Sequence, residues 1–277
     1  MPLLHIVVLA VVQGITEFLP ISSQAHLLLT DRLLVASGFI AEAPSAATQL
    51  TLSIAVHVGT LGAVMLYFWR DLWGMALGIG RTMRGRQDAG MRLFTHVVVA
   101  TLPVIVAGYA MHTYGPWGLR GLVVIAWAML GFGIILYIAD RLGMTVRRVE
   151  HIAFGDALIV GLAQVLALIP GTSRAGITMA AARMLGFERA DAARFSLLLA
   201  IPAIAGAGVL EGWQLYRSGA VQLGLDAGLA AGIAFVTAWI AIAMMMAWLR
   251  RASFTPFVIY RVILGAVLLA ISYGWIA

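Results

Sequence analysis

Gln-Gly-Ile-Thr-Glu-Phe-Leu-Pro-Ile-Ser-Ser-Gln-Ala-His, residues 13–26, places a polar cluster inside the first hydrophobic stretch of this chain. A second hydrophobic stretch is interrupted by Pro-Gly-Thr-Ser-Arg-Ala-Gly at residues 170–176. Ionisable side chains at membrane depth are costly and usually mark a functional site. A carboxylate, an imidazole and a guanidinium lie beside these two proline breaks. The two stretches therefore predict an intramembrane site for a charged ligand.

The composition around these stretches is that of a polytopic membrane protein. Of the 277 residues, 62% are hydrophobic and 11% are charged, and the mean hydropathy is +0.98. Soluble domains average about 25% charged residues. We therefore expect residues 1–277 to form a single integral-membrane domain. The chain contains neither cysteine nor lysine, which excludes disulfides, thiolate catalysis, a P-loop lysine and Schiff-base chemistry.

Six stretches are long and apolar enough to cross a bilayer, which requires roughly 17–25 residues. They are residues 50–69, 94–111, 121–139, 195–210 (extended back through residues 192 and 193), 227–249 and 257–276. Two further regions, 3–29 and 154–185, are hydrophobic but broken by proline, hydroxyl and charged residues. Non-helical backbone at membrane depth must be covered by protein or line a wet cavity. Each broken region is therefore predicted to be a re-entrant helical hairpin.

The two halves of the chain have the same order, a broken hairpin followed by three spans. Repeat 1 covers about residues 1–140 and repeat 2 about residues 150–277. Aligning Pro20 with Pro170 pairs the hydroxyl residues that follow each proline. Because three spans are an odd number, the halves are predicted to be inverted in the membrane. The fold class is thus an all-α integral membrane protein with six spanning helices and two re-entrant hairpins in an inverted-topology repeat.

The arginine residues predict an orientation, because loops rich in Lys and Arg stay in the cytoplasm. The arginine-rich loops follow the first, third and fifth spans and contain Arg70, Arg81, Arg84, Arg86, Arg92, Arg141, Arg147, Arg148, Arg250 and Arg251. The net charge of +6 is therefore assigned to membrane orientation, and no nucleic-acid partner is expected. Both termini are predicted to lie outside, so the two hairpins enter from opposite sides and their tips meet near mid-membrane.

The first tip carries candidate catalytic side chains. Gln13 and Glu17 are four residues apart, so a helix places both on one face. Glu17 is interpreted as a divalent-cation ligand or a general base, or alternatively as a buried carboxylate paired with Arg174 for packing. Ser22 and Ser23 either satisfy backbone groups freed at the proline or provide a nucleophile.

Three histidines within or beside the hydrophobic stretches are considered as site residues. His26 is a candidate base, acid or alternative nucleophile, because it follows Ser23 by three residues. His57 and His96 are assigned structural roles.

The second tip is predicted to bind an anion. Small residues at Gly171, Thr172 and Ser173 allow backbone N–H groups to converge, and the N-terminus of the following helix favours negative charge. Arg174 adds bidentate recognition of phosphate oxygens and stays charged when dehydrated.

These two motifs carry a resemblance over essentially the whole chain. The chain resembles the bacitracin-resistance family of undecaprenyl-diphosphate phosphatases, whose first motif is Glu or Gln, three residues, then Glu. Gln13 and Glu17 satisfy that motif, and residues 170–174 with Thr178 match the second, Pro-Gly-x-Ser-Arg. The family usually has Ser after the arginine, whereas this chain has Ala175. Gln13 supplies one carboxylate fewer, which leaves Glu17 as the main metal ligand.

The resemblance implies hydrolysis of the terminal phosphate of undecaprenyl diphosphate at the outer face of the bacterial inner membrane. It also implies dependence on a divalent cation, Mg²⁺ or Ca²⁺, held by Glu17 and Gln13. The product carrier would be recycled for peptidoglycan synthesis, which confers bacitracin resistance. The expected partners are a polyprenyl diphosphate and membrane lipids, and a homodimer is one oligomeric state to test.

The expected mechanism is metal-assisted phosphoryl transfer. Ser23 is the preferred nucleophile, and His26 would activate it or protonate the leaving group, with attack by water or by His26 as alternatives. Arg174, with the backbone from Gly171 to Ser173, would hold the phosphates. Gln13, Ser22 and Thr178 complete the expected substrate contacts. The competing hypothesis is a secondary transporter or flippase for an anionic or phosphorylated lipid, which also uses inverted repeats and broken helices.

Overall fold

The computed structural model describes residues 3–39, 45–84, 88–115, 121–217 and 224–275. Arg86, on which part of the predicted orientation rests, lies outside the described residues. The helices are α1 Leu3–Thr16, α2 Ser23–Ala36, α3 Ala46–Tyr67, α4 Trp69–Thr82, α5 Ala89–Tyr114, α6 Leu122–Leu142, α7 Phe154–Val165, α8 Arg174–Met184, α9 Arg189–Arg217, α10 Leu225–Leu249 and α11 Thr255–Ser272. Short 3-10 helices at Val149–His151 and Leu166–Leu168 adjoin α7.

Among the described residues, six helices are long and apolar enough to cross a membrane, namely α3, α5, α6, α9, α10 and α11. This confirms the predicted all-α integral membrane class and its six spans. The largest boundary error concerns α9, which covers 29 residues at Arg189–Arg217 where residues 195–210, extended back through residues 192 and 193, were predicted. Hydropathy detects only the apolar middle of a helix, whereas hydrogen bonding continues into its charged ends. Pro103 and Pro202 lie inside α5 and α9 without ending either helix.

The amphipathic helix α4 was not predicted, because the arginine-rich segment after the first span was interpreted as a loop. It covers 14 residues at Trp69–Thr82 and packs on α5. In its first turn, Asp71 forms an ion pair with Arg194 of α9. Polar and apolar residues alternate at helical spacing here, which is typical of a helix lying at a surface or membrane interface.

The broken regions are two helix pairs, α1 with α2 and α7 with α8, whose members pack against each other. The longest of these four helices has 14 residues. Such a helix extends about 21 Å, which is short of the roughly 30 Å hydrocarbon core. This length agrees with re-entrant hairpins, whose entry into a membrane stays a prediction.

Packing between the halves is reciprocal. The first helix of each hairpin packs against a helix of the other half, α1 on α10 and α7 on α5. The two last helices, α6 and α11, pack on each other, as do α3 and α9. Reciprocal pairs of this kind are what an inverted repeat would produce, although the inverted relation itself remains a prediction.

Close packing of α3 on α10 yields a stability prediction. A Cβ at Gly59 would lie 2.2 Å from the carbonyl oxygen of Ala231, so the two helices must separate to accept it. We expect Gly59→Ala to lower the free energy of unfolding by about 1–3 kcal/mol, the usual cost of overpacking. Gly232→Ala is the matched control, since a Cβ there meets nothing within 4 Å. Thermal unfolding in detergent measures both, and equal midpoints would contradict the proposed close contact.

Candidate active site

Both hairpin tips turn through a serine in the left-handed backbone region. Ser22 has φ 73° and directly precedes α2, and Ser173 has φ 68° and directly precedes α8. Such a conformation in a non-glycine residue costs on the order of 1–3 kcal/mol and is concentrated at functional sites. The tips therefore correspond with Ser22 on Ser173, one residue away from the pairing obtained by aligning the prolines. The second tip contains one more residue between its proline and its serine.

A cavity of about 270 Å³ lies between the two tips and the helices α3, α5 and α9. Its polar lining comes from Glu17, Ser22, Ser23, Gln24, His57, Ser173 and Arg174, and the remaining lining residues are apolar. The structure therefore places predicted site residues from both halves of the chain at one cavity.

Glu17 is the centre of the hydrogen-bond network. Its Oε2 accepts hydrogen bonds from Gln13 Nε2 at 2.9 Å and from Ser23 Oγ at 2.8 Å. Its Oε1 accepts a hydrogen bond from Arg174 Nη2 at 2.9 Å. The Glu17 side chain is 8% exposed and that of Arg174 is 17% exposed. This ion pair joins the two tips across 157 residues of sequence.

The ion pair by itself would also fit the alternative in which Glu17 and Arg174 pair only for packing. The buried polar atoms that lack a hydrogen-bond partner are therefore informative. Gln13 Oε1, Thr172 Oγ1 and Arg174 Nη1 are buried and have no hydrogen-bond partner among the described residues. Buried polar groups are nearly always hydrogen-bonded, and each exception calls for an explanation. Of these three residues Arg174 lines the cavity, where its free Nη1 donor fits an anionic ligand, and Gln13 reaches the same network through its hydrogen bond to Glu17.

The donor set fits a divalent cation that is completed by phosphate and water. Glu17 provides one carboxylate and Gln13 provides an amide oxygen without a partner. Mg²⁺ is usually held by one or two carboxylates, with substrate phosphates and water completing its shell. Among the described residues there is no group of three or more His, Cys, Asp or Glu that could form an all-protein cage. Glu17 and Gln13 are thus the side chains that would hold the cation.

Five predicted site residues do not line the cavity, namely Gln13, His26, Gly171, Thr172 and Thr178. His26 Nδ1 donates to the Ser22 carbonyl at 2.7 Å, while Nε2 lies 2.6 Å from the Tyr260 hydroxyl and the two rings stack. Thr178 is fully buried, where its hydroxyl donates to the Arg174 carbonyl at 2.8 Å and lies 2.6 Å from Ser196 Oγ. In this structure His26 supports the first tip and Thr178 supports the turn that carries Arg174. Their predicted catalytic and substrate contacts stay predictions.

The remaining second-tip residues have backbone roles. The carbonyl groups of Gly171 and Thr172 accept hydrogen bonds from Arg261. Ser173 Oγ accepts a hydrogen bond from the Gly176 N–H at 3.2 Å, which caps α8. Capping by serine satisfies one of the free N–H groups of the first turn and fixes where the helix begins.

The structure adds His57 to the site, although the sequence analysis assigned it a structural role. His57 Nδ1 donates to the Ser53 carbonyl at 2.7 Å, so its Nε2 accepts from Gln13 Nε2 at 3.3 Å. This arrangement fixes the orientation of the Gln13 amide and leaves Gln13 Oε1 as its free atom. No local signal in the sequence distinguishes His57, whereas His96 lines a different cavity with Arg92 and Arg194.

Six apolar helices and a polar cavity between two broken hairpins define a class: a multi-pass membrane protein with a candidate site for an anionic ligand. Residues 6–267 match the family described as bacitracin resistance protein BacA, and the chain belongs to that family. Relatives at high identity cover nearly the whole chain. Undecaprenyl-diphosphatase 1 of Rhodospirillum rubrum is 52% identical over 99% of this chain and 96% of its own length.

Further relatives show the same coverage. The undecaprenyl-diphosphatase of Ruegeria pomeroyi is 47% identical over 99% of this chain and 100% of its own length. The undecaprenyl-diphosphatase of Desulforudis audaxviator is 45% identical over 96% of both chains. The family resemblance read from the two motifs is thereby confirmed.

Proposed function

We propose that this chain is an undecaprenyl-diphosphatase. It would hydrolyse the terminal phosphate of undecaprenyl diphosphate to give undecaprenyl phosphate and inorganic phosphate, as its relatives are named to do. The observation that carries this proposal is the network in which Glu17 holds both Ser23 and Arg174 at one cavity. A candidate nucleophile and a guanidinium that can bind phosphate thereby both contact the same carboxylate, which can accept a proton.

Binding of the diphosphate would rest on the second tip. Arg174 has one guanidinium nitrogen on Glu17 and a second, Nη1, with no partner among the described residues. Arginine recognises phosphate oxygens through two such donors. The first turn of α8 adds free backbone N–H groups, which favour an anion. The polyprenyl chain would stay in lipid between the membrane helices.

Ser23 is the nucleophile supported best by the geometry. Its Oγ–H donates to Glu17 Oε2, so the carboxylate can accept the proton as Oγ forms the bond to the terminal phosphorus. The P–O bond to undecaprenyl phosphate breaks, and water then hydrolyses the phosphoserine to inorganic phosphate and Ser23. Of the two bases expected from the sequence, Glu17 and His26, this proposal therefore uses Glu17. Direct attack by water on the same phosphorus uses the same groups and is the alternative.

A divalent cation, Mg²⁺ or Ca²⁺, held by Glu17 and Gln13 would neutralise charge on the phosphate oxygens. The protein's own contribution is positioning and charge stabilisation, which dominate phosphoryl transfer. Arg174 is held by Glu17, and the turn before α8 is held by the Ser173 cap, so both contribute fixed positions to the proposed reaction.

We propose that the protein resides in the bacterial inner membrane with its site open to the periplasm. The relatives come from bacteria, and the arginine-rich loops predict which side faces the cytoplasm. Recycling of the carrier for peptidoglycan synthesis and bacitracin resistance would follow from this location. A homodimer stays an expectation.

The proposed function is tested by phosphate release from undecaprenyl diphosphate with purified protein in detergent. We expect release with Mg²⁺, loss of release with EDTA, and recovery when the metal is returned. Ser23→Ala should remove nearly all activity if a phosphoserine forms, whereas attack by water predicts a smaller loss. Ser173→Ala should lower activity because it removes the cap of α8. No release by well-folded wild-type protein would overturn the proposal and favour a transporter or flippase.

A further inference from the structure

Arg261 of α11 contacts both tips but does not line the cavity between them, and neither sequence motif includes it. Its side chain is fully buried, with 0% exposure. A charged residue in the middle of an apolar helix is costly and usually functional. Burial of the Arg261 charge is not offset by an ion pair, because among the described residues no carboxylate pairs with it.

The guanidinium of Arg261 binds both hairpin tips at once. Nη1 donates to the Pro20 carbonyl of the first tip at 3.1 Å. Nη2 donates to the Gly171 and Thr172 carbonyls of the second tip at 3.1 and 2.8 Å. These carbonyls belong to the turns, where no helical N–H is available to satisfy them.

Further contacts fix the guanidinium itself. Nε donates to the Met129 carbonyl of α6 at 3.2 Å, so the group is anchored between α6 and α11. A Cβ at Gly176 would lie 2.9 Å from Nη1, which shows that Arg261 packs directly against the first turn of α8. The neighbouring Tyr260 contacts His26 at the start of α2. One turn of α11 therefore contacts the segments that carry Ser23 and Arg174.

We propose that Arg261 is a positioning residue for the proposed phosphatase reaction, holding the two tips in the register that places Ser23 and Glu17 against Arg174. The kinetic test of this inference rests on the proposed function, whereas the structural test described below does not. Arginine suits this task because its planar fork presents several donors in fixed directions. Its charge, which no described carboxylate neutralises, also favours an anion at the tips.

The kinetic test compares Arg261→Met, Arg261→Lys and Arg261→Ala with wild type. We expect Arg261→Met to lower kcat/KM for undecaprenyl diphosphate by about 10²–10³, mainly in kcat, as loss of transition-state positioning does. Arg261→Lys should recover only part of this loss, since an ammonium keeps the charge but cannot reach both tips. Added guanidinium ion should partly restore Arg261→Ala, a rescue that a general loss of folding would not show.

Arg183→Met is the matched control. Arg183 is also fully buried in the structure and also binds backbone carbonyls, among them Gly143 at 2.8 Å, but it lies at the opposite end of α8 and pairs with Asp140. We expect this variant to lose thermal stability while its folded fraction keeps the wild-type kcat. An equal fall of kcat in the folded fraction of both variants, or wild-type kcat/KM in Arg261→Met, would overturn the proposal.

A structural test does not depend on activity. The chain has no cysteine, so Leu33→Cys in the first hairpin and Leu162→Cys in the second accept spin labels without further changes. Both side chains are exposed. We expect the distance distribution between the labels to broaden in Arg261→Met and to stay narrow in Arg183→Met. An unchanged distance distribution in Arg261→Met would reject the proposal that Arg261 holds the two tips in register, even if wild type hydrolyses the substrate. A broader distribution, found together with no hydrolysis by wild type, would reject only the proposed function.

Discussion

Glu17→Gln is expected to lower kcat/KM for undecaprenyl diphosphate hydrolysis by about 10²–10³, or about 2.7–4 kcal/mol of transition-state stabilisation. The substitution keeps the size of the side chain and an oxygen that can accept a hydrogen bond from Ser23. It removes the negative charge that accepts the Ser23 proton, pairs with Arg174 and binds the cation. The loss should therefore appear in kcat even at saturating substrate, because the interactions of the Glu17 carboxylate would no longer stabilise the transition state.

The same substitution should affect stability in a recognisable way. Arg174 would keep its charge in a site where its side chain is only 17% exposed. Breaking a buried ion pair by removing one partner costs about 3–5 kcal/mol, because the remaining charge is left without compensation. We therefore expect a lower unfolding midpoint that substrate or inorganic pyrophosphate partly restores.

Glu188→Gln is the matched control for the Glu17 prediction. Glu188 pairs with Arg148, but both side chains are substantially exposed. Exposed pairs contribute about 0–1 kcal/mol, so activity and midpoint should stay near wild type. Wild-type kcat in Glu17→Gln, measured as phosphate release by folded protein, would contradict the assignment of Glu17 as proton acceptor.

The centre of the site was predictable because an ionisable side chain at membrane depth is costly and therefore indicates a functional residue. Glu17 and Arg174 are ionisable residues beside proline breaks, where hydropathy alone favours apolar residues. Their pairing was expected because the two hairpin tips, one from each half of the chain, were predicted to meet. Arg261 obeys the same rule, since it lies within a predicted span, and it could have been found by applying the rule to every span rather than to the broken ones.

The position of His26 shows what the spacing within one motif cannot indicate. His26 follows Ser23 by three residues and was therefore predicted to be a base, an acid or an alternative nucleophile. Its Nδ1 instead donates back to the Ser22 carbonyl, which directs the ring towards Tyr260 of α11. That partner lies 234 residues away, so no spacing within the first motif could indicate it.

His57 illustrates the opposite limit. A histidine within an apolar helix has the same sequence context whether it faces lipid, another helix or a cavity. Only the packing of α3 beside the first hairpin brings it to Gln13. The amphipathic α4 was missed for a different reason, since its arginines were assigned entirely to membrane orientation and their helical spacing was not considered.

Arg174→Lys is expected to be nearly as damaging as loss of Glu17, although it conserves the charge. Arg174 uses Nη2 to donate to Glu17, while Nη1 is buried with no partner among the described residues. One side chain can therefore bind the carboxylate of the first tip and a phosphate oxygen in the same geometry. An ammonium is a single point of charge at the end of a flexible chain and cannot present this fork.

We therefore expect Arg174→Lys to lower kcat/KM by about 10²–10³, with a smaller loss of stability than Arg174→Ala because the lysine can still pair with Glu17. Arg148→Lys is the control, since Arg148 contacts Glu188 at an exposed site and needs no fork. Steady-state phosphate release and thermal unfolding of the three variants separate the two roles of the guanidinium. If Arg174→Lys retained full activity, charge alone would suffice at this position, and the phosphate would have to be held by the backbone N–H groups of the second tip.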